Sequence, residues 1–581
     1  MIRILGYLKR IRKDIALSMI FIVLGQLMTL LLPLLMSMII NKGIKNADMA
    51  YIKQVGLQMI VVSAIGVVIS SLSSFYTSRT ATSYGKILRE SLFLKVETLS
   101  QSDIDTVGTP SLITRCTNDV KVMQDFILHS MRMIISAPIM LIGGTIMAFF
   151  LNAKLAMIIF SVVPLIALVA FLAVKIVVPI FRKRQRMVDE LNRTLREKIT
   201  GIRVIRAFNK EPYEDAKFND RNEALSALVL RLQRMLAFLL PIAIVLGILA
   251  LDALIYIATK NIDAMTDVEK IQNTVGDLQA FVVYMIMIIF SLSMAAAMFV
   301  IVPRANISAR RIAQVLDLEP AVRDPEQPKP IDEARRGEVE FRHVSFSYLD
   351  GAQPVLSDIS FVAEAGKTTA IIGGTGSGKS SLINLIPRFY DVTEGQVLFG
   401  GVDVRELSQE DLHSRIGLVP QRSNLFSGTI EDNLRYGDET ADEARLNRAV
   451  DISQAREFID ELPKGLQSFV SQNVTNLSGG QKQRLAIARA LVRDADVYLF
   501  DDSFSALDFL TDARLRAAMR EAIHATVLIV AQRVGTILNA DKIIVLDNGK
   551  IVGEGKHAEL VQSCPIYREI VASQLSKEAL S

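Results

Sequence analysis

Gly373–Ser380 reads GGTGSGKS and fits the pattern G-x-x-x-x-G-K-[ST] of a phosphate-cradling loop. The residues just before it, Thr368–Ile372, are TTAII and read as a short strand. Gly373, Gly376 and Gly378, with Thr375 and Ser377 between them, let the backbone turn tightly so that its N–H groups point inward at phosphates. Lys379 is placed to reach the β/γ-phosphates, Ser380 to offer its hydroxyl to Mg²⁺, and Ser381 to follow them at the nucleotide. Taken alone, the loop says only that a nucleoside triphosphate binds.

The rest of the chain decides what kind of machine holds that loop. Half of the 581 residues are hydrophobic and the mean hydropathy is +0.33, too apolar for a soluble protein of this size. The length implies about three domain-sized units. The apolar residues concentrate in the first three hundred or so, where a bilayer span needs about 20 of them in a row. Stretches of that kind lie near 15–40, 55–78, 131–151, 155–180, 235–258 and 278–302. The first reads as a retained span, because it is longer than a signal-peptide core and has no small-residue cleavage pattern. Lys and Arg set orientation. Arg3, Lys9, Arg10, Arg12 and Lys13 precede the first span, and Arg182, Lys183, Arg184 and Arg186 follow the fourth. Both termini are therefore expected in the cytosol. The net charge of +4 implies no nucleic-acid partner. Cys116 and Cys564 fall in segments expected in the cytosol, so no disulfide is expected.

About a hundred residues past the phosphate loop, Asn476–Arg484 reads NLSGGQKQR. With this second motif the chain resembles the nucleotide-binding domain of ABC ATPases. Two cytosolic connections extend the likeness: Thr109–Lys121, TPSLITRCTNDVK, and Gly201–Glu211, GIRVIRAFNKE, resemble the intracellular loops of ABC exporters, where a short transverse helix meets the nucleotide domain. The whole chain then reads as an exporter half-transporter. The fold expected is an α-helical six-span membrane domain plus an α/β P-loop ATPase domain with a helical subdomain. Its boundaries are 1–318 for the membrane domain, 319–337 for a Pro- and charge-rich linker, and 338–581 for the ATPase.

The resemblance assigns roles residue by residue. Tyr348, in FSY, matches the aromatic that stacks on adenine, and Gln421, in LVPQ, the glutamine that contacts Mg²⁺ and senses the γ-phosphate. Asp501 ends the apolar strand VYLFD and matches the holder of the Mg²⁺ shell, while Asp508, in SALD, belongs to a loop that crosses a dimer interface. Ser478, Gly479, Gly480 and Gln481 match the signature that faces the γ-phosphate held by another subunit, at a helix N-terminus suited to an anion.

Two positions depart from the family. Where it places a glutamate that polarises the attacking water, this chain has Asp502; where it places a switch histidine, this chain has Gln532. Aspartate is one methylene shorter, and a misplacement of about 1 Å can cost about a hundredfold in rate. Glutamine can hydrogen-bond a phosphate oxygen but cannot carry positive charge. A third, milder departure is Ser471–Asn473, SQN, with Gln472 near a position that is often glutamate.

The expected function is an ATP-driven exporter subunit in the plasma membrane, moving lipophilic or amphipathic compounds of multidrug type, with ATP and Mg²⁺ at its nucleotide site. An intact LSGGQ beside an altered P-loop side implies a heterodimer, in which a different chain carries Glu and His at the positions of Asp502 and Gln532. A homodimeric lipid or hydrophobic-peptide exporter and an ATP-gated channel or regulatory subunit remain open as alternatives. A soluble ATPase acting on nucleic acid is argued against by the spans. Asp252, in LALDALIY, stands out as an intramembrane carboxylate, a substrate or gating position by default. The acids of 261–277, Asp277 among them, read as a solvated loop.

Overall fold

Six long helices account for most of the first three hundred residues: α1 (Arg12–Met38), α2 (Met49–Glu97), α3 (Val120–Leu151), α4 (Ala153–Thr200), α5 (Glu211–Asp263) and α6 (Val268–Leu316). The computed structural model describes residues 1–581 except 152, 264–267, 349–352, 472–475 and 575–581. It divides into two units, one comprising residues 1–97 and 109–318, the other 98–108 and 319–581.

In the helical unit five of the six apolar stretches each lie within one long helix, and the first, 15–40, runs two residues past Met38 into the helical turn Ile39–Ile44. Among the described residues, Ile2–Ile44, Met49–Glu97 and Thr109–Leu151 are long and apolar enough to cross a membrane. Pro33, Pro138, Pro164, Pro179, Pro241 and Pro303 sit inside helices, a placement that membrane helices tolerate better than soluble ones. Leu57, Ile60 and Val68 point outward from α2, as a lipid-facing surface requires. Leu30, Ala148, Phe281 and Tyr284 pack into a core where α1, α3 and α6 meet. The Tyr284 hydroxyl donates to the Leu30 carbonyl at 2.9 Å, so burial of the ring leaves no polar atom stranded.

Asp277 is not part of a solvated loop. Its carboxylate accepts from Ser37 Oγ at 3.0 Å and from Asn41 Nδ2 at 2.9 Å, so it ties α6 to α1. Asp267 and the side chains of Asp263 and Glu269 lie outside the described residues. Asp252 is exposed on α5.

The second unit is built on a six-stranded sheet. Its order is Lys550–Gly555, Lys542–Asp547, Thr368–Gly373, Thr526–Val530, Val497–Asp501, Ile416–Val419. The first pair is antiparallel and every later neighbour is parallel. Such a sheet is covered on both faces, and its central strands are mainly apolar: Ile371, Leu499, Leu528 and Ile544 face one core, Ala370, Ile372, Phe500 and Val545 the other. A separate antiparallel sheet orders Leu356–Ala363, Val339–Phe346, Glu394–Phe399 and Val402–Asp403. A small helical cluster around Leu434, Leu446, Phe458 and Leu485 carries the signature helix Gly479–Val492.

The first intracellular segment differs from its sequence reading. The short helix that belongs with the ATPase unit is Gln101–Val107, not part of Thr109–Lys121. Ser100 caps it reciprocally with Asp103, accepting from Asp103 N at 3.3 Å while Asp103 accepts from Ser100 N at 3.0 Å. Gly108 ends it at φ +82, a conformation glycine adopts at no steric cost. The capping signal begins at Ser100, nine residues before Thr109. In the second connection the short helix is Ile202–Ala207, inside GIRVIRAFNKE.

Candidate nucleotide site

Sheets of this kind bind ligands in the crevice beyond the carboxyl ends of their strands, and the strand order explains why four distant stretches of sequence meet there. Going across the sheet, Thr368–Gly373 leads into the phosphate loop, Thr526–Val530 into Gln532, Val497–Asp501 into Asp502, and Ile416–Val419 into Gln421. Between them lies a cavity of about 290 Å³ lined by Thr375, Gly376, Gly378, Lys379, Ser380, Ser381, Gln421, Asp501, Asp502 and Gln532.

The loop can only be glycine at its tightest points. Gly378 sits at φ +97, and a Cβ there would lie 2.7 Å from Leu356 Cδ2. At Gly373 a Cβ would come within 2.1 Å of the Leu546 carbonyl oxygen. Lys379 is buried, and its Nζ donates to the carbonyls of Gly373 at 2.8 Å and Gly374 at 2.7 Å, with Ser377 Oγ at 3.4 Å. Burial pulls its pKa down, opposed by the charges of Asp502 and Asp501. Ser380 Oγ donates to Asp501 Oδ1 at 3.0 Å, bringing a hydroxyl and a carboxylate together as an oxygen-ligand cation requires. Burial raises the pKa of both Asp501 and Asp502. A loop that admits no side chain at Gly373 and Gly378, a lysine held at its centre and a hydroxyl–carboxylate pair suit a nucleoside triphosphate with Mg²⁺.

The two departures from the family pattern touch each other. Gln532 Nε2 donates to Asp502 Oδ2 at 2.7 Å. Asp502 has φ +49, a left-handed conformation that aspartate tolerates better than most residues, and its N–H is held by the Val530 carbonyl at 2.9 Å.

Tyr348 stands at the rim, its hydroxyl 2.8 Å from Ser381 Oγ. Its ring meets Tyr390 edge-on at 5.2 Å. Tyr390, which sequence reasoning passed over, donates to Asp105 Oδ2 at 2.7 Å, on the Gln101–Val107 helix. Burial and then Asp105 push its phenol pKa upward. No motif flags Tyr390, because its significance lies in a contact 285 residues away in the chain.

The signature residues are elsewhere. Ser478, Gly479, Gly480, Gln481 and Asp508 are absent from the lining of the cavity. Ser478 caps its helix by accepting from Gln481 N at 3.3 Å, and Gln481 Oε1 accepts from Ser478 N at 2.9 Å, so the Gln481 side chain is engaged in its own capping box. Asp508 caps the helix Phe509–Ala522 by accepting from Thr511 N at 3.0 Å. Gln472 lies outside the described residues.

Residues 15–292 match the ABC transporter transmembrane region and residues 356–505 the ABC transporter ATPase domain. The chain belongs to the ABC transporter family. It is a membrane-spanning, ATP-driven exporter chain whose ATPase domain binds ATP, and proteins of this kind act as dimers. Over 572 residues it is 40% identical to an uncharacterized ABC transporter ATP-binding protein of Mycobacterium tuberculosis, covering 98% of this chain and 97% of that one. It is 32% identical over 534 residues to an ATP-dependent lipid A-core flippase of Pseudomonas aeruginosa, with 92% and 87% covered. A multidrug efflux ATP-binding/permease protein of Mycobacterium tuberculosis is 31% identical over 571 residues, with 98% of this chain but 47% of that one covered. Among solved structures, a bacterial Atm1-family ABC exporter with ATP bound superposes with TM-score 0.79 at 26% identity, covering 97% and 99% of the two chains.

Proposed function

We propose that this chain is one half of a heterodimeric exporter of lipophilic or amphipathic compounds, and that its own nucleotide site turns over slowly. The observation that carries the reading is the pairing of Gln532 with Asp502 at 2.7 Å in a site whose phosphate loop is otherwise intact. In the family a glutamate and a histidine stand at these two positions. Here the carboxylate is shorter, and one of its oxygens is engaged by a neutral amide. The remaining parts favour binding: Lys379 and the loop for the phosphates, Ser380, Asp501 and Gln421 for Mg²⁺, Tyr348 for the base. Bound Mg²⁺ would neutralise phosphate charge, which is how such sites stabilise phosphoryl transfer.

The signature supports a two-chain unit. Ser478, Gly479 and Gly480 form a clean helix N-terminus outside the chain's own cavity, free to complete a site on a partner. The partner is then a second half-transporter with Glu and His in place of Asp502 and Gln532. The multidrug relative, of which this chain covers 47%, leaves room for a second half in the same polypeptide. That relative and the flippase together favour apolar or amphipathic cargo over sugars and inorganic ions. The charge pattern at the helix ends favours cytosolic termini and a cytosolic ATPase domain, six crossings, and domain limits of 1–318, 319–337 and 338–581.

The test is the ATPase activity of the chain purified alone, beside Asp502→Glu/Gln532→His. Negligible turnover that rises by orders of magnitude in the double variant supports a degenerate site. Brisk turnover by the unmodified chain would overturn the slow-site reading and leave a homodimer.

A further inference from the structure

The helical unit carries an open cavity of about 520 Å³ between α1, α2 and α3, within the size range of small-molecule sites. Helices α1 and α2 run antiparallel along it. Phe21 stacks on Tyr76 at 5.5 Å, Gly25 lies against Ile69, and Gly66 lies against Met28. On α2 the lining extends from Val62 to Ser74, a rise of roughly 18 Å at 1.5 Å per residue. The cavity is therefore long, and its two ends differ.

At the Ser74 end the walls carry Gln26, Ser70, Ser73, Ser74, Arg132 and Ser136 beside Phe21 and Ile22. At the Val62 end they carry Met28, Leu32, Val62 and Val67, with Ser63. Thr29 also lines the cavity, but its hydroxyl is spent on the Gly25 carbonyl of its own helix at 2.9 Å. Arg132 is the one charged residue in the lining. Its Nη2 donates to Ser74 Oγ at 3.3 Å, a long bond to a neutral group, and no ion pair engages it among the described residues. One helical turn on, Ser136 is 4% exposed and its Oγ has no hydrogen-bond partner. Buried hydroxyls are nearly always satisfied, and the Arg132 guanidinium is exposed at the cavity mouth, where it is open to an anion. Arginine is also the side chain best shaped to grip a carboxylate or phosphate in two-pronged fashion.

We infer that this cavity recognises an amphiphile with an anionic head group, a phosphate or carboxylate, and a hydrocarbon tail. The head meets Arg132 and Ser136, and the tail runs toward Val62 and Leu32. The inference rests on the exporter reading above and narrows its cargo from lipophilic compounds in general to acidic ones. Arg132 lies one residue into the apolar stretch 131–151.

The chain contains no tryptophan, so Phe21→Trp, on the cavity wall, gives a single fluorescent reporter. The full-length chain in neutral phosphatidylcholine nanodiscs is titrated with dodecyl phosphate, dodecyltrimethylammonium and inorganic phosphate. Saturable binding of dodecyl phosphate is expected, with the half-saturation concentration raised at least tenfold by Arg132→Gln and a few-fold by Ser136→Ala and by Arg132→Lys, which keeps the charge but loses the two-pronged grip. Equal response to the two dodecyl compounds, or an unchanged titration in Arg132→Gln, would overturn the inference. Inorganic phosphate binding as tightly as dodecyl phosphate would overturn its amphiphile part. Monodisperse elution and an unchanged thermal-unfolding midpoint without nucleotide check that Arg132→Gln is folded; if that variant fails to fold, the head-group comparison on the unsubstituted site decides alone. ATP-driven uptake into vesicles separates the two readings. Head-group selectivity without uptake sinks the exporter reading and keeps the site, whereas uptake without selectivity sinks the site alone.

Discussion

Gln532 Nε2 lies 2.7 Å from Asp502 Oδ2 and donates to it, so the two residues that depart from the family pattern form one unit. A carboxylate that orients water must have a free lone pair aimed at it. Here one oxygen is occupied by an amide that cannot take up a proton or carry charge. Substituting one position without the other should therefore recover little. Asp502→Glu alone lengthens the acid but leaves Gln532 in reach, and Gln532→His alone leaves the acid short. The double variant is expected to exceed the product of the two single gains, as coupled neighbours do. Single-turnover ATP hydrolysis by all four forms measures this, and strictly multiplicative gains would argue against the coupling.

Binding and hydrolysis should separate at this site. Lys379→Ala removes the charge held over the loop by the carbonyls of Gly373 and Gly374. Ligand saturating at a hundred times its Kd stabilises a protein by about 2.7 kcal/mol. That gain should be large in the unmodified chain with MgATP, smaller after chelation of Mg²⁺, and near zero in Lys379→Ala. Differential scanning fluorimetry is sufficient to see it. A chain that gained nothing from MgATP would show that the cavity does not hold nucleotide as its lining implies.

If the proposed heterodimer holds, the signature and the phosphate loop of this chain should fail in different ways within it. Ser478→Arg places a bulky cation where the capped helix N-terminus is open, and it is expected to abolish the fast turnover at the partner's site. Lys379→Ala should leave most of that turnover in place while releasing the ATP retained on this chain. Trapped-nucleotide measurements distinguish the two. Equal losses of steady-state ATPase in both variants would mean that the two sites share the work.

Tyr390 links the nucleotide rim to the Gln101–Val107 helix: its ring meets Tyr348 at 5.2 Å and its hydroxyl meets Asp105 at 2.7 Å. Tyr390→Phe keeps the ring and deletes the hydrogen bond, which is worth about 1.5–3 kcal/mol when the acceptor is charged. Nucleotide affinity should change by less than threefold, while stimulation of ATPase by transported compound falls. Tyr348→Ala should do the converse, weakening ATP by roughly tenfold through the loss of base stacking, worth about 1–3 kcal/mol. Should Tyr390→Phe weaken ATP as much as Tyr348→Ala, the hydroxyl would be serving the site and not the link.

How much of this could be read from the sequence depends on the range of the interaction. The phosphate loop is a local device, in which glycines at fixed spacing dictate the turn, and Lys379, Ser380 and Asp501 stand where the motif spacing puts them. Asp502 and Gln532 were both visible as departures, but their hydrogen bond spans thirty residues and follows from the adjacency of two parallel strands. Tyr390 and Asp105 carry no motif, so their pairing could not be seen. Asp277 was misread because an acid in a polar stretch looks solvated until its partners, Ser37 and Asn41, are brought up from more than two hundred residues away.

That last contact yields its own prediction. Asp277 accepts from both Ser37 Oγ and Asn41 Nδ2, and Gly276 lets the helices close, since a Cβ there would sit 2.0 Å from Asn41 Oδ1. Gly276→Ala must push the Asn41 amide aside and break the cluster from the other helix. Asp277→Asn keeps the size of the side chain but replaces one acceptor oxygen with a donor that faces donors. Both should loosen α6 from α1 and lower the thermal stability of the helical unit. Because the phosphate loop belongs to the other unit, ATP-induced stabilisation should persist in both variants. An Asn41→Ala change, by contrast, removes one donor and leaves Ser37 to serve the carboxylate, so its cost should be the smallest of the three. If Asn41→Ala proved more damaging than Asp277→Asn, the amide and not the carboxylate would be the centre of the cluster.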